Sequence, residues 1–269
     1  MTPLPDYIPI VSPVSVGEQK TSGRTRPFQM RCETASGYAD YIVKLWANPE
    51  VHLAKHSLAR ELYGSLLSRV FELDTPDVAL VDIEPDFYHS ILPSPNAELF
   101  QQSVGFNFGS KFIPGATIFS PPVAPSKHSL AVKIFCFDML IGNPDRRMVK
   151  PNVFQSADGF VVFDHEQAFP FSRPQMLLGG YPPGWKYIRE DWHKDHIFHK
   201  SIKNRECALE IEEFMTSVGC LSNEVFDTIE EQIPEDWRTG GDLQNIRLYL
   251  ANTRDNLNKF KRSLQEILI

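Results

Sequence analysis

No apolar run in this 269-residue chain approaches the ~20 residues that a membrane-spanning helix needs. The richest stretch, Ala131 to Gly142, is short and is interrupted by Lys133 and Asp138. The start of the chain lacks the basic residues and apolar block of a secretory leader, so no membrane contact is expected and the expected compartment is the cytoplasm. Cysteine is scarce. Cys32, Cys136, Cys207 and Cys220 form no Cys-x-x-Cys pair, which argues against a zinc framework and against disulfides. Basic excess is also missing: 27 Lys and Arg face 34 Asp and Glu, a net charge of −7, which disfavours a duplex nucleic-acid partner. Internal repeats and low-complexity tracts are absent. What remains is ordinary globular composition, 42% hydrophobic and 23% charged, enough for a real core in one large domain or two lobes.

The first third reads as strands joined by short turns. Residues 7–16 are apolar but broken by Pro9 and Pro13, which predicts an edge strand at best. Phe28, Met30 and Cys32 alternate with Gln29, Arg31 and Glu33; Tyr41, Val43 and Leu45 alternate with Ile42, Lys44 and Trp46. Leu58, Leu62, Leu66 and Val70, widened by Tyr63 and Leu67, predict a helix over 52–72 that ends before Pro76. Two more strands are expected at 78–83 and 104–113, with a Pro-rich loop between them. From about 126 the chain turns helical, beginning with the apolar helix of Leu130, Ile134, Phe137 and Ile141. An irregular loop, 142–151, leads to a hairpin of Val153-Phe154 and Phe160 to Phe163 around Ser156-Ala157-Asp158-Gly159. A Pro/Gly-rich stretch, 170–184, precedes further helices, the last over 241–268. The expected fold is α+β and bilobal. A small antiparallel sheet with one helix forms residues 1–116, and a larger helical lobe with the catalytic loop and hairpin forms 117–269.

Phosphoryl transfer needs a cation on the phosphates, a group that orients it, a metal on the terminal oxygens and a carboxylate beside the incoming hydroxyl. Lys44 lies on the third strand, on the face of Ile42, placed to reach phosphates while Ile42 covers a base. Glu61 follows 17 positions later on the predicted helix, where it can fix the Lys44 ammonium. Asp145 sits in an acidic loop directly after a buried helix, a rigid mount for a base. Asn152 opens the hairpin and Asp164 closes it, which brings an amide oxygen and a carboxylate together as a hard-oxygen site for Mg²⁺ or Mn²⁺. Glu166, two residues on, is a further candidate metal ligand. Singly, each has an ordinary structural explanation: a solvated Lys, a helix Glu, turn residues, strand caps. The conjunction and its order point to an ATP-dependent kinase.

These residues carry a resemblance. Tyr41-Ile-Val-Lys44-Leu, Ala59-Arg-Glu61-Leu, Phe108-Gly-Ser110-Lys-Phe-Ile, Asn143-Pro-Asp-Arg146, Asn152-Val-Phe and Phe163-Asp-His-Glu-Gln-Ala-Phe169 together resemble the HipA-like kinases, in a short branch carrying the kinase domain alone. The resemblance runs from about residue 20 to about 240 and is most specific over 137–169. It implies a fold related to protein and phosphoinositide kinases and phosphorylation of protein serine or threonine. It implies Lys44 as the phosphate-binding lysine, Asp145 as catalytic aspartate, and Asn152 and Asp164 as metal ligands. The turn around Gly23 stands for the phosphate-covering loop, and Phe112, Ile113 and Gly115 for the hinge that reads adenine, with Phe154 and Phe163 also expected against the nucleotide. The chain departs from protein kinases in three places. Asp145 and Asn152 are seven positions apart, a longer loop than usual. One glycine stands where the phosphate loop has several, leaving Ser22, Thr25 or backbone to contact phosphates. His165 replaces the Phe of Asp-Phe-Gly.

Two rivals share these residues. A small-molecule kinase similar to aminoglycoside and choline kinases would also use Asp164-x-Glu166, but its His-Gly-Asp loop is absent. A nucleotide-binding pseudokinase would act by docking a partner, and would be favoured by loss of Lys44, Asp145 or Asp164. The expected acceptor is accordingly a protein or a small molecule. His193, His196 and His199 are expected to pack or be solvated, because a spacing of three grips one ion poorly. Arg146 and Arg147 are expected to pair with nearby carboxylates and hold the loop.

Overall fold

The computed structural model describes residues 4, 7–21, 25–48, 55–92, 94–157, 159–170, 191–238 and 240–268. The fold is mixed α and β. Its first half is a closed five-stranded barrel in the order β1-β2-β3-β5-β4, made of β1 (Ile10–Gln19), β2 (Phe28–Thr34), β3 (Gly37–Lys44), β4 (Val78–Ile83) and β5 (Gly105–Lys111). The period-2 alternation works as expected. Phe28, Met30, Cys32, Tyr41, Val43 and Leu45 fill the barrel with Val81 and Ile83. This leaves Ile42 and Lys44 on the outer face.

The expectation of an open antiparallel sheet with a weak first strand is corrected. β1 pairs antiparallel with β2 and also parallel with β4, at Ile10↔Leu80 and Val11↔Val81, and so closes the barrel. Pro13 is accommodated because the β1–β2 register shifts between Pro13 and Ser15, so the residue that lacks an N–H sits at a bulge. Phe100 plugs the barrel, its ring 5.1 Å from that of Phe28. It belongs to α3 (Ala97–Gln102), which with α2 (Phe87–Ser90) occupies the expected 84–97 loop region and its end.

α1 (Lys55–Val70) realises the predicted helix, and its apolar stripe is wholly buried. The stripe joins one contiguous core with α4 (His128–Ile141), α5 (His199–Ile202), α6 (Ala208–Gly219), α7 (Asn223–Glu231), α8 (Asp242–Arg254) and α9 (Leu257–Leu268). Gly142 stops α4 in the left-handed region (φ 63°), where glycine has no Cβ penalty. The predicted hairpin is β7 (Val153–Gln155) and β8 (Phe160–Val162), extended to three strands by β6 (Thr117–Ile118). The single C-terminal helix expected over 241–268 is two helices. The α-helical pattern breaks at Asp255-Asn256, where the Asn256 N–H turns back to Thr253 and its C=O starts α9, letting α9 pack on α6.

Candidate active site

β3 and α1 bring the first pair together. Lys44 Nζ donates to Glu61 Oε2 at 3.0 Å, to Asp164 Oδ1 at 2.8 Å and to Glu166 Oε2 at 3.3 Å. Glu61 is 2% exposed and Lys44 6%, so neither is the solvated side chain that its residue type predicts. Burial works against the ammonium, but Asp164, Glu166 and Glu61 outweigh it and hold Lys44 charged well above its usual range. Three carboxylates share this one cation, and Glu61 is the most deeply buried of them. Burial first, then Asp164 and Glu166, push it up to about 7 against the pull of Lys44. Asp164 is held well below the carboxylate range, because Lys44 and then Lys150 overcome its burial.

The loop after α4 hangs from a buried ion pair. Asp138, in the last turn of α4, accepts from Arg146 Nε at 2.5 Å, from Asn143 Nδ2 at 3.1 Å and lies 2.9 Å from His196 Nε2. Burial would raise Asp138, but Arg146 and His196 hold it at about 2. Arg146, fully buried, also donates to the carbonyls of Asn152 and Phe163, tying the loop to the hairpin. Asp145 stands beside this anchor, its N–H on Asn143 Oδ1 at 3.2 Å. Its carboxylate accepts from Lys150 at 2.6 Å, Arg147 at 3.2 Å and Asn152 Nδ2 at 3.4 Å.

The hairpin ends meet as expected: the Phe163 N–H donates to the Asn152 carbonyl at 3.2 Å. Asn152 (φ 51°) and Asp164 (φ 62°) are both left-handed, a conformation that Asn and Asp tolerate best among side-chain-bearing residues. Phe154 and Phe163 stack with ring centroids 4.3 Å apart. They form one wall of a cavity of about 470 Å³ whose lining also includes Ile42, Lys44, Glu61, Phe112, Ile113, Gly115, Asn152 and Asp164. That volume suits a nucleotide-sized ligand. Thr25 lines it too, whereas Gly23 and Ser22 lie outside the described residues. Asp145 and Glu166 line a second depression of about 420 Å³, and Lys150 borders both.

His165 explains how α1 is placed. Its ring lies 3.3 Å from Ser68 Oγ and 3.2 Å from Arg146, so it joins α1 to the loop anchor. A Cβ on Gly64 would stand 2.6 Å from His165 Cβ, so the helix approaches this closely only because residue 64 has no side chain. Burial first, then the Arg146 charge, lower His165 to about 3 and keep the ring neutral.

The structure thus gathers Lys44, Glu61, Asp164 and Glu166 at one point and Asp145 and Asn152 at the next. Lys150 and Asp138 have roles here that no sequence motif announces, and His196, expected only to pack or be solvated, pairs with Asp138. A lone aspartate inside the most apolar helix, eight residues before an arginine, was the available signal for Asp138. His193, His196 and His199 are buried and packed, rings 193 and 199 being 5.3 Å apart. Among the described residues the carboxylate group able to hold a metal is Glu61, Asp164 and Glu166, not these histidines.

A strand lysine paired to a helix glutamate, beside an aspartate-bearing loop and a cavity of nucleotide size, is the arrangement of a kinase. A solved structure agrees at the level of fold. The Helicobacter pylori proinflammatory kinase CtkA matches with a TM-score of 0.54 at 10% identity, covering 95% of this chain and 97% of that one. The family is fixed by sequence: residues 14–264 match the HipA-like kinases, and the chain belongs to that family. None of the curated proteins matches significantly. No helix among the described residues is long and apolar enough to cross a membrane.

Proposed function

We propose that this kinase transfers the terminal phosphoryl group of ATP to a protein serine or threonine hydroxyl, in a two-lobed protein-kinase-like fold divided near residue 116. The observation that carries the reading is Lys44, held by Glu61 at 3.0 Å at the end of a cavity walled by Ile42, Phe154 and Phe163. Adenine would lie between Ile42 and the stacked phenylalanines against the backbone of Phe112, Ile113 and Gly115. Lys44 would meet the α- and β-phosphates, oriented by Glu61. Asn152, Asp164 and Glu166 offer only oxygen donors, which fits Mg²⁺ or Mn²⁺. A divalent ion there would neutralise charge on the β- and γ-oxygens. Asp145 would accept the acceptor's proton, with Asn152 and Arg147 orienting its carboxylate. The gathered Lys44, Asp145 and Asp164 support catalysis over a pseudokinase role.

Lys44→Met and Asp145→Asn separate the two jobs. Loss of Lys44 should weaken ATP binding and slow transfer. Loss of Asp145 should spare ATP affinity and slow single-turnover autophosphorylation by about 10²–10⁴. Near-normal transfer by Asp145→Asn would remove Asp145 as the base.

A further inference from the structure

α1 carries two charged side chains in succession, and they meet different parts of the molecule. Glu61 reaches Lys44 on the barrel. Arg60, one residue earlier, donates through Nη1 to Asp242 Oδ2 at 2.9 Å and through Nη2 to Ser57 Oγ at 2.9 Å. Arg60 is 3% exposed and Asp242 4%, so this ion pair is as buried as the one at the site. Asp242 opens α8 directly after Gly240 and Gly241 (φ 71° and 76°), a left-handed turn that glycine makes without a Cβ penalty. At the start of α1, Lys55 Nζ lies 2.6 Å from Asp236, in the short turn Glu235–Trp237 of the same lobe. The apolar stripe of α1 shares its core with α4 and α6 to α9, joined by Val78, Leu80 and Phe108 from the outer face of the barrel. The barrel interior is a separate cluster. α1 is therefore seated on the helical lobe, and the Lys44–Glu61 contact spans from that seat to the barrel.

Resting on the phosphotransfer reading above, we propose that Arg60 is a positioning residue: its buried pair with Asp242 sets the rotation of α1 and so holds Glu61 on Lys44. Successive helix residues stand about 100° apart around the axis, so one ionic contact on each fixes that rotation. Side-chain tips lie about 5–6 Å from a helix axis, and a turn of about 20° moves them by about 2 Å. A movement of that size would break the 3.0 Å contact between Glu61 and Lys44. Lys44 would then be left to Asp164 and Glu166, at 2.8 and 3.3 Å, and be drawn away from the phosphates it is to meet. His165 seats the later turns of α1 through Gly64 and Ser68, whereas Arg60 holds the turn that carries Glu61. Arg60 lines neither cavity, so it acts through Glu61 and not on the nucleotide.

The test is a double-mutant cycle between Arg60→Met and Glu61→Gln, with Arg60→Lys beside it. The readout is single-turnover loss of the terminal phosphate of Mg-ATP, to the protein itself or to water, and urea unfolding shows that each variant is folded in the assay. Arg60→Met should slow the step by about ten- to a hundredfold, the cost of a misplacement of about 1 Å or more. Arg60→Lys should recover part of that. In the Glu61→Gln background Arg60→Met should change the rate by less than about twofold, because the route through Glu61 is already cut. A pair that only braced the fold would slow both backgrounds by the same factor, and that result overturns the proposal. Removing one partner leaves a buried charge unpaired. If Arg60→Met does not fold, Arg60→Met/Asp242→Asn, which removes both charges, takes its place in the cycle with the same expectation. If wild type turns over ATP and the folded Arg60 variant or Glu61→Gln matches it, the positioning role alone is refuted. If wild type neither binds nor turns over Mg-ATP, the phosphotransfer reading itself falls and this proposal with it.

Discussion

Gly64→Ala tests the claim that α1 is seated by contact with His165. Alanine normally stabilises a helix interior over glycine by up to about 1 kcal/mol. Here the new Cβ would lie 2.6 Å from His165 Cβ and 3.0 Å from Cγ. Carbon atoms prefer about 3.5–4.0 Å, so helix and loop must separate by about 1 Å. The obstructing atom is next to the backbone of residue 165, so no rotamer relieves it. Overpacking of this kind costs about 1–3 kcal/mol, leaving a net loss of about 0–2 kcal/mol after the helix gain. The functional loss should be larger. Glu61 lies one turn before Gly64, and a shift of about 1 Å would pull its carboxylate off Lys44, an error of a size that can cost about 10² in rate. Urea unfolding, Mg-nucleotide calorimetry and single-turnover transfer measure the three parts. Gly219→Ala in α6 is the control, because its Cβ would meet only Leu257 at 3.4 Å, an ordinary contact. Were Gly64→Ala as stable and as active as Gly219→Ala, the seating argument would be wrong.

Two further outcomes follow from the buried charges. Asp138→Asn should destabilise the protein by about 3–5 kcal/mol, because it leaves Arg146 buried without its counter-ion; a urea-derived loss below about 1 kcal/mol would refute the anchor role. His165 should make the protein acid-labile. Its folded pKa of about 3 lies below the unfolded value near 6.5, so only the unfolded chain takes the proton between them. That stabilising contribution is complete above about pH 6.5 and is lost as pH falls, by about 1.4 kcal/mol per pH unit. His165→Gln removes it, so stability curves of wild type and variant should diverge by about 1 kcal/mol between pH 6.5 and 5.5, and by close to the full slope over the next unit down. Parallel curves would place the ring in water.

Much of the fold was legible because it depends on local period. Alternation along β2 and β3 fixed which residues fill the barrel, and the four-residue spacing of Leu58, Leu62, Leu66 and Val70 fixed α1. Hairpin chemistry at 156–159 is enough to bring Asn152 and Asp164 into one place. Closure of the barrel was not legible: the parallel β1–β4 contact joins residues some 70 positions apart (Ile10 and Leu80), and no local pattern encodes a pairing at that distance. The break at Asp255-Asn256 was hidden because both helices share an amphipathic pattern.

The site divides in the same way. Residue type and order named Lys44, Glu61, Asp145, Asn152 and Asp164, since each chemistry admits few side chains. Lys150 looked like one more loop lysine, and Asp138 like an interruption in an apolar helix. Their meaning comes from what stands opposite them: two carboxylates from separate segments for Lys150, and Arg146 and His196 for Asp138. A charge in sequence has no sign of partner. Only tertiary structure removes the water around it and decides which opposite charge takes the water's place.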